Sequence, residues 1–419
     1  MPGIVLERIR VIDATSAWAG PLATQILGDL GAEVIKVESI QRIDSWRLFN
    51  PIRHTEEGWW ERAANYNSVN RNKYDVTLDL TNPRGAQVFK HLVKIGDIVV
   101  ENYTPRVMSN FGLDYDVLQG INPSIIMMSM PGWGMTGPWR DYVGFATSIE
   151  QLAGVSQLTG YADGGPMPLG SALAVADPIG GLSGAFALLA ALQLRRETGR
   201  GQHIDLSQNE GLSCLLGDAI MDYTLNKRVQ GRRGNRHPFM APHGCYRCLN
   251  EDDWRGDDRW AVIAVPSDEE WERFGKAIGS PAWTKETRFV DSLGRWQNQD
   301  ELDRLVEEWT VRHTHYEVLS MLQAAGVAAA PVLTPPELNA NPHLEERGFF
   351  ENVTIAEVGT HPYPGMLFKM SKTPGRVRMP APGLGQHNDY VLGELLGMSR
   401  NEIAKLAEDK VIGSRPLGV

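Results

Sequence analysis

Residues 9–38 read IRVIDATSAWAGPLATQILGDLGAEVIKVE. The apolar run Ile9–Ile12 predicts a short strand, and the spacing of apolar residues over Pro21–Leu30 predicts a helix with proline near its start. Gly31 is a typical helix stop, and Val34–Val37 predicts a second strand. The stretch therefore predicts a strand, a helix and a second strand in immediate succession.

The alternation of strand and helix patterns continues beyond this stretch. We predict a strand at Val76–Leu80, a helix at Pro83–Lys94, and further strands at Asp97–Val100 and Ser124–Ser129. Strands that alternate with helices favour a parallel sheet covered by helices on both faces. The sequence thus predicts an α/β fold with a doubly wound, Rossmann-like sheet.

The pattern of predicted secondary structure changes in the second half of the chain. A helical pattern over Gln208–Val229 leads into a polar, basic stretch at Arg228–Arg236, which we interpret as a linker. Strand patterns and then helical patterns follow as far as about residue 330. This change predicts that a second, smaller domain interrupts the first.

The composition is that of an ordinary globular protein and excludes several classes of function. Hydrophobic residues make up 42% of the 419 residues and charged residues 22%, which argues against a disordered chain. Lys and Arg total 41 against 51 for Asp and Glu, and the formal net charge is −10. Because phosphate contacts dominate the affinity of nucleic-acid binders and no basic stripe is visible, we expect no nucleic-acid partner.

Targeting signals and cysteine usage both favour a cytoplasmic protein. No apolar run reaches the roughly 18 residues that span a bilayer, so we expect no membrane segment. Glu7 and Arg8 are charged where a signal peptide has its apolar core. Cys214, Cys245 and Cys248 are an odd number of cysteines in a long chain and imply no disulfide framework.

Two familiar site types match the sequence poorly. A dinucleotide-binding turn has the spacing G-x-G-x-x-G, but residues 15–21 read TSAWAGP, and Trp18 would obstruct a pyrophosphate. His237, Cys245 and Cys248, with a second nearby histidine, are ligand types that zinc accepts. Their spacing matches no standard zinc motif, and residues 245 and 248 of a strand point to opposite faces. We therefore expect neither a redox cofactor nor a metal site.

The strongest local motif is VADPIGGLSG, at residues 175–184. Asp177 followed by Pro178 is typical of a helix entry, with Asp177 as N-cap and Pro178 at the first helical position. Glycine costs about 0.8–1 kcal/mol in a helix interior, so Gly180 and Gly181 suggest that another chain or a ligand packs there. On these residues alone a capping role is favoured. The alternative is a carboxylate nucleophile in a glycine-lined slot at the positive end of a helix.

Further short motifs occur in order along the chain: IRVID (9–13), AGP (19–21), GDLGAEVIKVE (28–38), NRNK (70–73), LDL (78–80), VENYTP (100–105), PGWGMTGP (131–138), RETGRGQ (196–202) and PGLGQHN (382–388). Together with the Asp177 segment they resemble the class III CoA-transferases. That family includes formyl-CoA transferase, carnitine CoA-transferase and the α-methylacyl-CoA racemases. The resemblance spans nearly the whole chain.

The resemblance implies that Asp177 is a catalytic nucleophile. Its carboxylate would attack an acyl-CoA donor, and the released thiolate would return to form an aspartyl-CoA thioester that the acceptor acid attacks. CoA itself is a substrate, so no further cofactor is expected. The implied CoA contacts are Asn102, Tyr103, Arg71, Lys73 and Arg106, and the implied substrate pocket contains Trp18, Phe145, Ala146, Gly134, Gly180 and Gly181.

The sequence also departs from its relatives near the nucleophile. Racemases of the family carry His-Asp, and formyl-CoA transferases Tyr-Glu, where this chain has Phe145-Ala146. Without an ionisable group there, proton removal has no evident base and racemisation is disfavoured. Trp18 likewise replaces a glutamine of the formyl-CoA transferases. A pocket stripped of these polar groups predicts a bulky, largely apolar or aryl-bearing acceptor acid, with succinyl-CoA as the donor by family habit.

The resemblance also implies an assembly. In this family the chain leaves a large domain, forms a small one and returns, so that two ring-like subunits interlock. Residues 1–228 and 336–419 would form the large domain and residues 229–335 a smaller α+β domain. We expect an interlocked homodimer or pairing with a related second subunit. Two alternatives stay open, an acyl-CoA racemase and a non-catalytic subunit of a heteromeric transferase.

Overall fold

A computed structural model describes residues 4–49, 56–169, 174–251 and 258–418. Its main sheet has six strands, all parallel to their neighbours, in the order β3-β2-β1-β4-β5-β6. This order is that of doubly wound nucleotide-binding folds and confirms the predicted α/β class and parallel sheet. The strands are β1 (Arg10–Ala14), β2 (Glu33–Glu38), β3 (Lys73–Thr77), β4 (Ile98–Glu101), β5 (Ile126–Ser129) and β6 (His203–Asp205).

Helices connect these strands and recur along the rest of the described chain. Those up to the middle of the chain are α1 (Ala19–Asp29), α2 (Ser45–Leu48), α3 (Ala64–Val69), α4 (Pro83–Ile95), α5 (Arg106–Asn110), α6 (Tyr115–Ile121), α7 (Ala146–Leu152), α8 (Val155–Leu158), α9 (Ala176–Thr198), α10 (Gln208–Ser213) and α11 (Gly217–Asn226). Later in the chain come α12 (Asp268–Ala277), α13 (Ser292–Gln297), α14 (Gln299–Thr310), α15 (His315–Ala324), α16 (Pro335–Asn339), α17 (Pro342–Glu346) and α18 (Arg400–Glu408).

Each face of the main sheet carries its own hydrophobic core. Ile12 and Ile35 point to one face, where they pack in a cluster with residues of α4. Val11 and Val34 point to the other face, where they pack with residues of α1 and α9. Successive strand residues alternate between the faces, so short, uninterrupted apolar runs supply both cores.

The chain divides into two compact units. One comprises Met1–Ser156, Pro168–Val229 and Pro342–Val419, and the other comprises Gln157–Met167 and Gln230–Asn341. The second unit contains an antiparallel sheet in the order β7-β8-β9 and a core that includes residues of α12, α14 and α15. The sequence assigned residues 157–167 to the large domain, whereas the structure groups them with the second unit. The remaining strands are β7 (His243–Cys248), β8 (Arg259–Ala264), β9 (Ala328–Pro331), and the hairpin of β10 (Phe350–Ile355) and β11 (Gly359–Pro364) in the first unit.

Helix α9 is 23 residues long and apolar enough to cross a membrane by length and composition. Gly184 and Leu188, both buried, lie on the side of α9 that packs against α1 and the main sheet. Core helices of proteins pass the same test of length and composition, so a single such helix is weak evidence for a membrane span. The cytoplasmic location stays a prediction.

Candidate active site

The carboxyl ends of β1 and β4 meet at the point where the strand order reverses. In open α/β sheets, ligands bind at this position. Asn102 follows β4 and holds the turn that follows β1. Its side-chain oxygen accepts the Ser16 N–H at 2.9 Å, and its amide nitrogen donates to the Ser16 carbonyl at 2.7 Å. One side chain therefore fixes both backbone polar groups of Ser16.

A buried ion pair lies under the same turn. Lys36 Nζ donates to Asp44 at 2.9 Å and to the Thr15 carbonyl at 3.0 Å, and both charged side chains are almost fully buried. Asp44 also accepts the N–H of Ala17, whose backbone is left-handed with a φ of +66°. Burial by itself lowers the pKa of Lys36, but neighbouring carboxylates, that of Asp44 first, outweigh this effect and raise the pKa. Buried charges thus anchor the turn.

Helix α1 begins just after this turn and lies close to the start of α9. A Cβ at Gly181 would come within 2.9 Å of the Ala19 carbonyl oxygen, and a Cβ at Gly180 within 3.3 Å of Gln208. The sequence predicted that these glycines face another chain or a ligand. The structure instead packs them against neighbouring helices of the same unit. We therefore do not place Gly180 and Gly181 in the substrate pocket; their role is to let α1 approach.

The start of α9 differs from the prediction. Helix α9 begins at Ala176, and Val175 is at the N-cap position with a φ of −62° and a ψ of −24°. Asp177 is thus the second helical residue and not the N-cap. Pro178 is tolerated at the third helical position because the first N–H groups of a helix have no acceptor within the helix. The Asp177 side chain is therefore not occupied with capping.

The surroundings of Asp177 make its carboxylate easier to protonate. The pKa of Asp177 is raised to about 6, because burial raises it more than the Ala19 N–H facing the carboxylate lowers it, and the charge of Glu150 contributes to the increase. A carboxyl group with a pKa near 6 is still mostly ionised at neutral pH. It is also more basic than an exposed aspartate, as a nucleophile requires.

Glu150 was not among the residues predicted from the sequence. It lies in α7, is fully buried, and its Oε1 accepts the Val175 N–H at 2.6 Å. Its only sequence signal is a single charge in the helix ATSIEQL, at residues 146–152. Such a charge is far more common on a helix surface, so the sequence did not distinguish Glu150 from a solvated glutamate.

The predicted pocket residues differ in exposure. Trp18 precedes Ala19, is partly buried, and has its ring centroid 5.1 Å from that of Trp46. Phe145 precedes α7 and is 76% exposed. Ala146 is the first residue of α7, four positions before the buried glutamate of that helix.

Gly134 lies in the loop after β5. Its φ of +86° is in the left-handed region that glycine adopts without cost. The next residue, Met135, donates its N–H to Asp205 at 3.0 Å, so the loop is held on the end of β6. A pocket role for Gly134 stays a prediction.

Three of the predicted CoA contacts follow β4. The backbone N–H of Tyr103 donates to Glu101 at 2.8 Å, and the Tyr103 ring packs on the sheet core. Arg106 is the exposed first residue of α5, and it forms no ion pair with any residue that the structure describes. Asn102, Tyr103 and Arg106 are therefore close together along the chain, at the carboxyl edge of the sheet.

The other two predicted CoA contacts are buried in ion pairs. Lys73 Nζ donates to Asp13 and to two further oxygens, all at 2.9 Å, and the side chain is fully buried. Arg71 pairs with Asp29 at 2.7 Å and is almost fully buried. Both cations are used to join parts of the large unit, so we do not place them at the CoA phosphates.

No group of three or more His, Cys, Asp or Glu side chains suited to a metal ion occurs in the part of the chain that the structure describes. Cys248 joins the core of the second unit, whereas Cys245 lies with His243 along an open cavity of about 510 Å³. The two thiols thus occupy opposite faces of β7.

Comparisons with known proteins agree over nearly the whole chain. The model of CoA-transferase family III matches residues 6–388. Succinyl-CoA–D-citramalate CoA-transferase of Chloroflexus aurantiacus is 33% identical over 410 residues, which cover 97% of this chain and 98% of the relative. The beta subunit of succinyl-CoA–L-malate CoA-transferase from the same organism is 34% identical, with the same coverage. The crystal structure of a CaiB/BaiF family protein from Brucella suis has a TM-score of 0.81 and 31% identity, over 92% of this chain and 98% of that chain.

This chain therefore belongs to CoA-transferase family III, and it is a CoA-transferase. The resemblance that the sequence motifs indicated is confirmed. Its general substrates are an acyl-CoA and a carboxylate, and at least one relative is a subunit of a heteromeric enzyme.

Proposed function

We propose that this chain moves CoA from succinyl-CoA to a carboxylic acid acceptor through a covalent intermediate on Asp177. The observation that carries the proposal is the setting of the Asp177 carboxylate, which is partly buried, faced by the Ala19 N–H and free of any capping role. The names of the two curated relatives support succinyl-CoA as the donor.

Each step of the proposed reaction exchanges one acyl bond for another. An Asp177 oxygen attacks the donor thioester, the carbon–sulfur bond breaks, and CoA leaves as thiolate from a mixed anhydride. The thiolate attacks the Asp177 carbonyl carbon and expels succinate, which leaves an aspartyl-CoA thioester. The acceptor carboxylate attacks this thioester and releases the thiolate. The thiolate then attacks the acceptor's acyl carbon and frees Asp177 as a carboxylate.

The Ala19 N–H has a defined task in this sequence. Negative charge builds on the Asp177 oxygen each time a thiolate or carboxylate adds to the Asp177 carbonyl. A fixed backbone donor at such an oxygen stabilises the transition state by about 3–4 kcal/mol. The close packing of α1 on Gly180 and Gly181 holds the Ala19 N–H in place.

The carboxyl end of β4 is the proposed place for CoA. Asn102 and Tyr103 lie at the reversal of strand order, where ligands of such sheets bind. Arg106, exposed and without an ion-pair partner in the described residues, supplies the positive charge for a CoA phosphate. Arg71 and Lys73 have no part in this proposal.

The acceptor is proposed to be a bulky, largely apolar or aryl-bearing acid. Trp18 directly precedes the residue whose N–H faces Asp177, and it forms an aromatic wall with Trp46. Ala146 leaves room on α7. A phenyl group buried there would gain a few kcal/mol at about 25 cal/mol per Å². The test compares kcat/KM for phenyl-bearing acids with that for citramalate, malate and acetate; an advantage for the small acids contradicts the apolar pocket.

A second copy of this chain, or a related subunit, is proposed to cover the apolar surface of α9 and α11. Phe186 and Leu225 are 75% and 71% exposed, and Leu182 and Ile220 are also exposed. Surfaces of this kind mark subunit interfaces. Analytical ultracentrifugation should show a dimer, and a stable, active monomer would contradict the interlocked assembly.

The covalent intermediate has a direct test. Mixing the wild type with succinyl-CoA and digesting at once should give a peptide that carries CoA on Asp177, visible by mass spectrometry. Asp177→Asn should lose transfer and the adduct, while Asp116→Asn, an exposed aspartate of α6, should keep both. Transfer by an Asn variant that has not deamidated would overturn the proposal. Exchange of the α-proton without CoA transfer would support a racemase. A folded chain with neither activity would support a non-catalytic subunit.

A further inference from the structure

Glu150 is a buried carboxyl group that the proposed mechanism does not yet use. Its side chain has no solvent exposure, and Oε1 accepts the N–H of Val175 at 2.6 Å. Oε2 is buried without a hydrogen-bond partner. A buried oxygen left without a partner has a cost, which argues that this group serves something other than stability.

The hydrogen bond places Glu150 at the foot of the nucleophile's helix. Val175 is the N-cap residue of α9, and Asp177 follows two residues later. The glutamate on α7 therefore fixes the backbone from which the Asp177 side chain projects. No other residue of α7 is ionisable, since that helix reads ATSIEQL.

We propose that Glu150 is a positioning residue for the Asp177 nucleophile: its carboxylate fixes the start of α9 and sets a second negative charge beside the Asp177 carboxylate. This inference rests on the proposed function. When Asp177 is acylated it loses its charge, and the repulsion between the two carboxylates disappears. Because the charge of Glu150 raises the energy of the free Asp177 carboxylate relative to its acylated state, acylation of Asp177 is favoured.

Other charged groups do not account for the same effect. Besides Glu150, the helices packed most closely against α9 carry Asp29 at the far end of α1 and Glu210 on α10. Asp97 pairs with Arg195 near the other end of α9. Asp29 is paired with Arg71, and Glu210 is exposed. The raised pKa of Asp177 agrees with this inference, because the charge of Glu150 is one of the causes that raise it.

The test measures single-turnover formation of the Asp177 adduct against pH in the wild type and in Glu150→Gln. The amide oxygen of glutamine still accepts the Val175 N–H, so the variant should fold. Its rate at pH 7.5 should fall by about threefold to tenfold, with KM for acyl-CoA changed less than about twofold. The midpoint of the acidic limb should move to lower pH, because Asp177 loses a like charge.

Two further variants separate positioning from a purely structural role. Glu210→Gln removes an exposed carboxylate from the neighbouring helix and should leave the rate and the limb unchanged. Glu150→Asp keeps the charge but shortens the side chain, so the rate should fall while the limb stays near the wild-type midpoint.

If Glu150→Gln forms the adduct at the wild-type rate and with the wild-type acidic midpoint, this inference alone is overturned. If Glu150→Gln does not fold, the pH profile of adduct formation in the wild type decides. The inference is overturned if the acidic midpoint of that profile lies near the pKa of an ordinary aspartate. It is also overturned if the acidic midpoint of Glu150→Asp moves to lower pH, as it would for a lost charge. Absence of the wild-type adduct overturns the proposed function and this inference together.

Discussion

The side chain of Asn102 holds both backbone polar groups of Ser16, at 2.9 Å and 2.7 Å. Asn102 follows β4 and Ser16 follows β1, and these two strands are neighbours in the sheet. The contact therefore joins two strand ends at the reversal of strand order. It also fixes the turn that leads to Ala19, whose N–H faces Asp177.

Replacing Asn102 with alanine should slow CoA transfer and weaken the fold. Two hydrogen bonds are lost, which costs about 1–3 kcal/mol of unfolding free energy, and kcat should fall at least about tenfold because the Ala19 N–H loses its fixed position. Asn122→Ala is the matched control. Asn122 donates to the carbonyls of Val93 and Gly96 and also accepts from Ser124, away from Asp177, so its loss should cost at least as much stability without lowering kcat. Equal kcat values for the two variants would contradict the role given to Asn102.

Replacing Gly181 with alanine should force α1 away from α9. The new Cβ would meet the Ala19 carbonyl at 2.9 Å, and a backbone atom cannot move aside cheaply. We expect a loss of about 1–3 kcal/mol in urea unfolding and a lower rate of adduct formation. Gly120→Ala in α6, where a Cβ meets open space, should instead be neutral or stabilising by up to about 1 kcal/mol. Unaltered adduct formation in Gly181→Ala would show that this packing does not position the Ala19 N–H.

The Asp177 carboxylate should cost stability at neutral pH. Its pKa is raised to about 6 in the folded chain from an ordinary 3.8, so the folded state holds the proton more tightly than the unfolded state. The stability that protonated Asp177 contributes is therefore fully present below about pH 4 and is lost as the pH rises through about 6. Asp177→Asn should be more stable than the wild type at pH 7.5 by up to about 3 kcal/mol, and by much less at pH 4. Urea unfolding at one fixed protein concentration measures this, and an equal difference at both pH values would refute it.

Replacing Arg106 with glutamine should weaken the binding of CoA without slowing the chemistry. We expect KM for succinyl-CoA to rise about fivefold to tenfold and kcat to stay within about twofold. The increase should shrink as salt is added, since a partly exposed charge pair is screened. Arg196→Gln, an exposed cation at the end of α9, is the control and should leave KM unchanged. A KM for Arg106→Gln equal to that of the control would remove Arg106 from the CoA site.

Local patterns were sufficient for the class of fold. The apolar runs at Val11–Ile12 and Val34–Ile35 serve both faces of one sheet, and only a sheet covered on both sides buries such runs. The motif order along the chain was also sufficient for the family, because each motif is a short contiguous stretch. Asp177 was proposed from its neighbours in sequence, and its role stays a prediction; helix α9 begins at Ala176 and not at Pro178 as predicted.

Tertiary packing decided the roles of the charged and small residues around Asp177. Arg71 and Lys73 have the residue types of phosphate contacts, but their partners Asp29 and Asp13 are 42 and 60 positions away in the chain. Glu150 has the sequence context of a surface glutamate, and its burial depends on a contact with Val175, 25 positions away. Sequence determined the fold class, the family and most strands of the main sheet, since these depend on local periodicity and contiguous motifs. Strand β3 (Lys73–Thr77) begins three residues before the predicted strand Val76–Leu80, and β6 was not predicted. Only the folded structure decided which charges are paired, which glycines are covered and which carboxylate is buried beside the start of α9, because those properties depend on residues that folding alone brings together.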